Sequence, residues 1–271
     1  MTDKSCNPTM PGTGSSDPAD YDDVADQYGD EFINWAGLQL ANLIDPVAGE
    51  RILDVGAGRG AVTRPLASRG TEVWTIDLSE RMVEYLREIV PPERVIRGDA
   101  GDLPYADEEF DGVTAGYLAT ILPNKMEGML TEWSRVLNPQ GRLAVSEPGP
   151  IHEDWLWLHD VACQFFSRPT AEEHNRTISK NLEALVRLAA DAGLGLEASS
   201  TIRRPKRVHT TAAAEMFLMQ SGLEAAVEQL ESEDAQSFVG QVRAGLDTMF
   251  RRRGLIEIDR CANLFLFERH Q

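Results

Sequence analysis

Cysteine is scarce in this chain. Cys6, Cys163 and Cys261 are odd in number, far apart and without metal-ligand spacing. This supports neither a disulfide framework nor a zinc site, and it fits reduced thiols in a cytoplasm. Long apolar runs are missing as well: no stretch approaches the roughly 20 consecutive apolar residues that cross a bilayer, so no membrane partner is expected. Basic charge is short, with 26 lysines and arginines against 44 acids and a formal net charge of -18. Such a surface repels a phosphate backbone, so nucleic acid is not the expected substrate. The local basic runs IRRPKRVH at 202–209 and FRRRG at 250–254 are solvated faces or one small site for an anionic substrate. Residues 1–20 have neither the basic start nor the apolar core of a signal peptide and are rich in turn formers, which predicts a disordered tail.

Residues 51–60 read RILDVGAGRG. Ile52, Leu53 and Val55 suit a buried parallel strand, and Gly56, Gly58 and Gly60 allow positive φ and the close approach of a ligand. A glycine-rich turn alone also fits a dinucleotide fold or a plain tight turn. Spacing adds to it. Asp54, Asp77 and Asp99 each end an apolar run, separated by 23 and then 22 residues, and each interval fits one strand, one helix and two loops. Three acids at the mouths of successive parallel strands converge on one crevice, with Asp77 placed for a ribose diol and Asp99 for an adenine amine. An acid just before the glycines would repel a pyrophosphate on the helix N-terminus. It suits a ligand with an ammonium group and no phosphate there, which describes the methionine end of S-adenosylmethionine.

The segment is similar to the first motif of class I S-adenosylmethionine-dependent methyltransferases acting on small molecules, of the ubiquinone and menaquinone biosynthesis type. TIDLSERMVEYLR resembles that family's second strand and helix, GDAGDLPYADEEFDGVTAGYL its third and fourth strands, and RVLNPQGRLAVSEP its fifth. The resemblance implies a cofactor set of Asp54, Gly56, Ala57, Gly58, Asp77, Leu78, Met82, Asp99, Ala100 and Tyr117. In it Leu78 and Met82 flank the adenine, Asp99 and Ala100 read its edge, and Tyr117 lies where the methionine portion passes. YDDVADQYGDEF resembles the entry segment, which gives Tyr28, and after it Tyr21, as an aromatic closing over the cofactor. Arg59 departs from the usual small residue; it pairs with the methionine carboxylate or lies in solvent.

Alternation of strands near 51–55, 72–76, 94–97, 110–115 and 141–146 with helices predicts an α/β, doubly wound, mostly parallel sheet, and Asn138 to Gly141 a turn before the fifth strand. One or two helices precede it over 21–44. A helix over 179–192 capped by Gly193 leads to a sixth strand near 195–203. The resemblance places ANLFLFERH at 262–270 antiparallel between strands five and six, completing a seven-stranded Rossmann-like methyltransferase sheet. At 271 residues the chain reads as one domain over 21–271 with helical lid inserts at about 148–178 and 211–250. His152 is the candidate catalytic base for a phenol or alcohol acceptor, with Glu147, Glu153 and His159 in reserve and Trp155 and Trp157 as walls of an apolar acceptor pocket. The expected reaction is methyl transfer to oxygen, nitrogen or carbon of a small, partly apolar metabolite in specialised biosynthesis. The alternatives are a cofactor-retaining cyclase or isomerase, or a non-catalytic cofactor-binding module. Phe217, Leu218 and Met219 mark a dimer face or the underside of the cover, so the chain is a monomer or a homodimer.

Overall fold

Apolar runs closed by an acid or a glycine become the central strands of this computed structural model, which describes residues 31–119, 122–219 and 223–270. The strands are β1 (Arg51–Val55), β2 (Glu72–Asp77), β3 (Val95–Arg97), β4 (Phe110–Gly116), β5 (Leu137–Pro148), β6 (Leu194–Arg203) and β9 (Cys261–Arg269). They form one seven-stranded sheet in the order β3-β2-β1-β4-β5-β9-β6. β3, β2, β1, β4 and β5 run parallel, and β9 lies antiparallel to β5. Parallel strands are buried on both faces, which is why they read as continuous apolar runs. The predicted tail over 1–20, together with Tyr21 and Tyr28, lies outside the described residues.

Side chains on successive strand positions point to opposite faces. Ile52 therefore joins a core with Leu40, Ala41 and Ile44 of α1 (Glu31–Ile44), Leu66 of α2 (Thr63–Ala67) and Val83 and Leu86 of α3 (Glu80–Leu86). Leu53 and Val55 face the other way. They pack with Met129, Leu130 and Trp133 of α4 (Met126–Val136) and Leu185 and Ala189 of α6 (Ala171–Asp191). Trp133 is fully buried and its indole N–H donates to the Ala100 carbonyl at 3.0 Å, tying α4 to the loop after β3. Replacing Trp133 by phenylalanine removes that bond and part of the ring, and is expected to lower stability by about 2 kcal/mol; urea midpoints of the two proteins check it.

Two sequence expectations are corrected. Asn138 to Gly141 do not precede the fifth strand but lie within β5, as a bulge between the pairs Phe110↔Leu137 and Gly112↔Arg142. Asn138 builds it: its carbonyl oxygen accepts from Gln140 N at 3.0 Å and its amide donates to Asp111 at 2.8 Å. The helix expected over 179–192 begins at Ala171, because Thr170 and Glu173 cap each other's backbone amides.

The chain divides into two compact units. The sheet unit comprises, of the described residues, 31–149, 180–202 and 261–270; the second comprises 150–179 and 203–260. In the second, α5 (Leu156–Phe165), the start of α6, α7 (Thr211–Leu218), α8 (Glu224–Val227) and α9 (Ser232–Arg253) accompany a two-stranded antiparallel sheet of β7 (Lys206–Val208) and β8 (Ile256–Ile258). Trp155, Phe166, Phe238, Val242, Leu246 and Ile256 form its core. No helix among the described residues is long and apolar enough to cross a membrane.

Candidate cofactor site and acceptor groups

The carboxyl ends of β1, β2 and β4 carry the polar groups that the apolar runs deliver. Gly56, Gly58 and Gly60 all adopt positive φ, between 53° and 78°. The loop they form folds over β2, where Gly56 N donates to the Ile76 carbonyl at 2.9 Å and Gly58 N to the Asp77 carboxylate at 2.8 Å. A Cβ on Gly56 would collide with Leu118 at 2.9 Å, whereas one on Gly58 would meet open space. The loop is thus tight on one side and open on the other.

Asp54 lies beneath it, 1% exposed, accepting hydrogen bonds from the Thr63 hydroxyl at 2.6 Å and the Thr114 hydroxyl at 2.9 Å. Burial lifts its pKa to about 6, against the lowering effect of the two hydroxyls, with the Asp77 charge adding to the rise. Asp77 also accepts from Ser79 N at 3.0 Å, and Ser79 in turn caps α3 by accepting from Met82 N at 3.2 Å. Leu78 is among the exposed large apolar residues, while Met82 is buried and Ala57 packs into the core.

Asp99 stands two residues beyond β3. One oxygen accepts from Gly101 N at 2.9 Å and the other meets Lys125 Nζ at 3.1 Å. The backbone bond from Gly101, then Lys125, hold its carboxyl below the ordinary range despite partial burial. The Ala100 carbonyl is taken by Trp133. Tyr117, a non-glycine residue at φ 57°, sits where β4 ends, its amide donating to the Ser146 carbonyl at 2.7 Å. Such backbone strain concentrates at functional sites. Arg59 is half-buried, with its guanidinium over the Tyr85 ring, 4.4 Å from the centroid. Asp54, the glycine loop and Asp77 are therefore gathered at one place, with Asp99 and Tyr117 on the neighbouring strand ends.

The residues that sequence reasoning missed are Thr63, Thr114, Ser79 and Lys125. Ser79 carried a readable signal, a serine just before the helical run ERMVEYL. Thr114 carried none, since it reaches Asp54 only through the pairing of β1 with β4.

In the second unit, His152 caps a single 3-10 turn, Glu153–Trp155, its Nδ1 accepting from Asp154 N at 3.2 Å and lying 3.7 Å from the Asp154 carboxylate. Asp154 is also bound by Arg253 at 2.7 Å. Of the two tryptophans expected to wall a pocket, Trp155 is instead core: it is 7% exposed, with its indole N–H given to the Glu257 carbonyl at 2.9 Å. Trp157 does line a cavity of about 640 Å3, with Val161, Ala244, Met249 and Leu255 as apolar wall and Arg252 and Glu153 at its polar side. Glu147, in the sheet unit, is fully buried and accepts from Ala119 N at 2.9 Å, a bond that fixes the loop after β4.

Known proteins resemble this chain in sequence and fold. A family model described as a methyltransferase domain matches residues 53–145, from β1 to β5. The demethylmenaquinone methyltransferase of Renibacterium salmoninarum is 33% identical over 178 residues, covering 62% of this chain and 73% of that protein. The nocamycin O-methyltransferase of Saccharothrix syringae is 35% identical over 135 residues, covering 47% of this chain and 48% of that protein. As in this second case, the chain spans about half the length or less of several curated relatives, 43% for the demethylmenaquinone methyltransferase of Clavibacter sepedonicus. In fold, a phosphoethanolamine N-methyltransferase of Haemonchus contortus, solved with S-adenosyl-L-methionine, superposes with a TM-score of 0.54 at 17% identity, over 95% of this chain and 61% of that one. The sheet order, the glycine loop over a buried acid and these matches together mean that the chain belongs to the class I S-adenosylmethionine-dependent methyltransferases.

Proposed function

We propose that this chain transfers a methyl group from S-adenosylmethionine to oxygen, nitrogen or carbon of a small, partly apolar metabolite. The observation that carries the reading is the buried Asp54 under a positive-φ loop whose Gly58 faces open space beside the Asp77 carboxylate. That set fits the proposed cofactor: a carboxylate for an ammonium, an acceptor for a diol, and room for a nucleoside against the backbone. When bound, S-adenosylmethionine supplies a methyl made electrophilic by its sulfonium. The chain's own task is to orient the acceptor and exclude water.

In this reading Asp54 holds the ammonium, Asp77 the ribose hydroxyls, and Asp99 with the Ala100 amide the adenine edge. Leu78 and Met82 supply apolar surface to the base, and Tyr117 borders the methionine portion. His152 takes the proton of a hydroxyl acceptor, and the Asp154 carboxylate 3.7 Å from Nδ1 stabilises the imidazolium that forms. For Nε2 to act as the base, Nδ1 must exchange the bond it accepts from Asp154 N for an N–H turned to the Asp154 carboxylate.

Cofactor labelled in its methyl group, incubated with candidate aromatic and aliphatic alcohols, tests the reading: label is expected in the product. Product formed without loss of the cofactor's methyl would instead establish a cyclase or isomerase. His152→Ala is expected to slow transfer to a hydroxyl acceptor by about 10²-fold while leaving cofactor affinity unchanged. Turnover equal to the parent's removes His152 from the mechanism.

A further inference from the structure

Around the junction of α5 and α6 three bases crowd together: His159, Arg168 and His174. His159 is only 8% exposed. Arg168 Nη2 hydrogen-bonds His159 Nε2, and the His174 ring lies 5.1 Å away, centroid to centroid, tilted by 45°. Hydrogen-bond bookkeeping fixes the tautomer. A guanidinium has donors and no acceptor, so Nε2 must accept and the ring proton of His159 resides on Nδ1. Nδ1–H is then a donor, and it is buried with no hydrogen-bond partner among the described residues. A buried donor left without an acceptor costs about 1–3 kcal/mol, and native interiors almost always satisfy such groups.

The electrostatics point the same way. Burial first, then the charges of Arg168 and His174, push His159 down to about 4, while Asp160 acts weakly against them. His174 is lowered by burial and by Arg168; Arg168 is lowered by burial, with Cys163 opposing. Every one of these bases is disfavoured in its charged form, the condition that a bound anion relieves.

We propose that His159, Arg168 and His174 form an oxyanion-binding site, in which a carboxylate or phosphate oxygen supplies the acceptor that His159 Nδ1–H lacks. The remaining charge of the anion is shared between the Arg168 guanidinium and the His174 imidazole, as charge-assisted hydrogen bonds. The site stands apart from the methyl-transfer reading and does not depend on it.

Ring-nitrogen NMR of the full chain, whose five histidines include only these two in the cluster, tests it. Without added oxyanion, His159 is expected as the Nδ1–H tautomer. Titration with inorganic phosphate, and separately with benzoate, against chloride at equal ionic strength should raise the apparent pKa of His159 and His174 by about one unit and leave His152, His209 and His270 in place. A response to phosphate alone identifies a free inorganic anion as ligand; a stronger response to benzoate identifies the acid group of an organic ligand. Arg168→Gln should weaken either response about tenfold, and His174→Gln, at a less buried position, provides the same reading should the first variant fail to fold. If neither anion moves the two signals beyond chloride, or if His159 carries its proton on Nε2, the acceptor is water and the proposal falls.

Discussion

Replacing Asp77 by alanine is expected to weaken binding of S-adenosylmethionine and of its demethylated product by about 10³-fold. A carboxylate has about four acceptor directions. Asp77 directs some of them at the amides of Gly58 and Ser79, 2.8 and 3.0 Å away, and so shapes the glycine loop while facing the proposed ribose. Hydrogen bonds to a charged acceptor contribute about 1.5–3 kcal/mol each. Two ribose hydroxyls lost together therefore correspond to a weakening on the order of 10²- to 10⁴-fold. The two loop amides lose their acceptor in the same variant. Asp77→Asn, which keeps an oxygen for one of them, separates the contributions and should cost only about tenfold. Calorimetry with the demethylated cofactor reads both, with circular dichroism to establish folding. A loss below about tenfold in the alanine variant would show that the ribose lies elsewhere.

Asp54→Asn should make the protein more stable and less able to bind its cofactor. In the folded chain the carboxyl is raised to about 6 by burial; unfolded, it returns to about 4. Between those values the folded state holds a proton that the unfolded state has released. The stabilisation from this group is therefore complete below about pH 4 and disappears as pH rises through about 6. A rise of about two units corresponds to about 3 kcal/mol, so the asparagine variant should exceed the parent by about 2–3 kcal/mol at pH 8 and match it near pH 4. The amide can accept from one threonine hydroxyl and donate to the other, so neither Thr63 nor Thr114 is stranded. The variant loses the counter-charge for the ammonium, which lowers cofactor affinity by about 10²-fold. In the parent that affinity should climb with pH through about 6 as Asp54 ionises. Urea midpoints and calorimetry across pH 5–8 check both halves; an asparagine variant less stable than the parent at pH 8 would mean that the buried charge is better compensated than these contacts imply.

What the sequence disclosed was whatever depends on local composition. β1, β2 and β4 are legible because strands buried on both faces need apolar side chains at every position, and the glycine loop because positive φ excludes most other residues there. The position of β9 between β5 and β6 was not legible from its residues and came from family resemblance alone. The hydroxyl pair around Asp54 stayed hidden because one partner is 60 residues away in sequence and meets it only through strand pairing. β7 and β8 escaped notice because three-residue strands are too short to show a period and KRV is mostly charged. The early start of α6 was written in Thr170 and Glu173, a threonine followed three positions later by a glutamate; the leucine pattern begins too late to reveal it. Among the candidate site residues, Asp54, Gly58 and Asp77 could be named from spacing because each ends a strand. Lys125, which meets Asp99 across 26 residues, could not.

The seating of β9 bears on how the molecule is made. As the nascent chain emerges, β5 and β6 cannot join each other, because the strand that belongs between them is synthesised more than fifty residues after β6. Until then the free edge of β5 keeps its backbone N–H and C=O groups unpaired, and Phe265 and Phe267 are absent from the core they complete. Closing so long a separation is entropically slow, so pairing of β9 with β5 is expected among the last steps by which the sheet is completed.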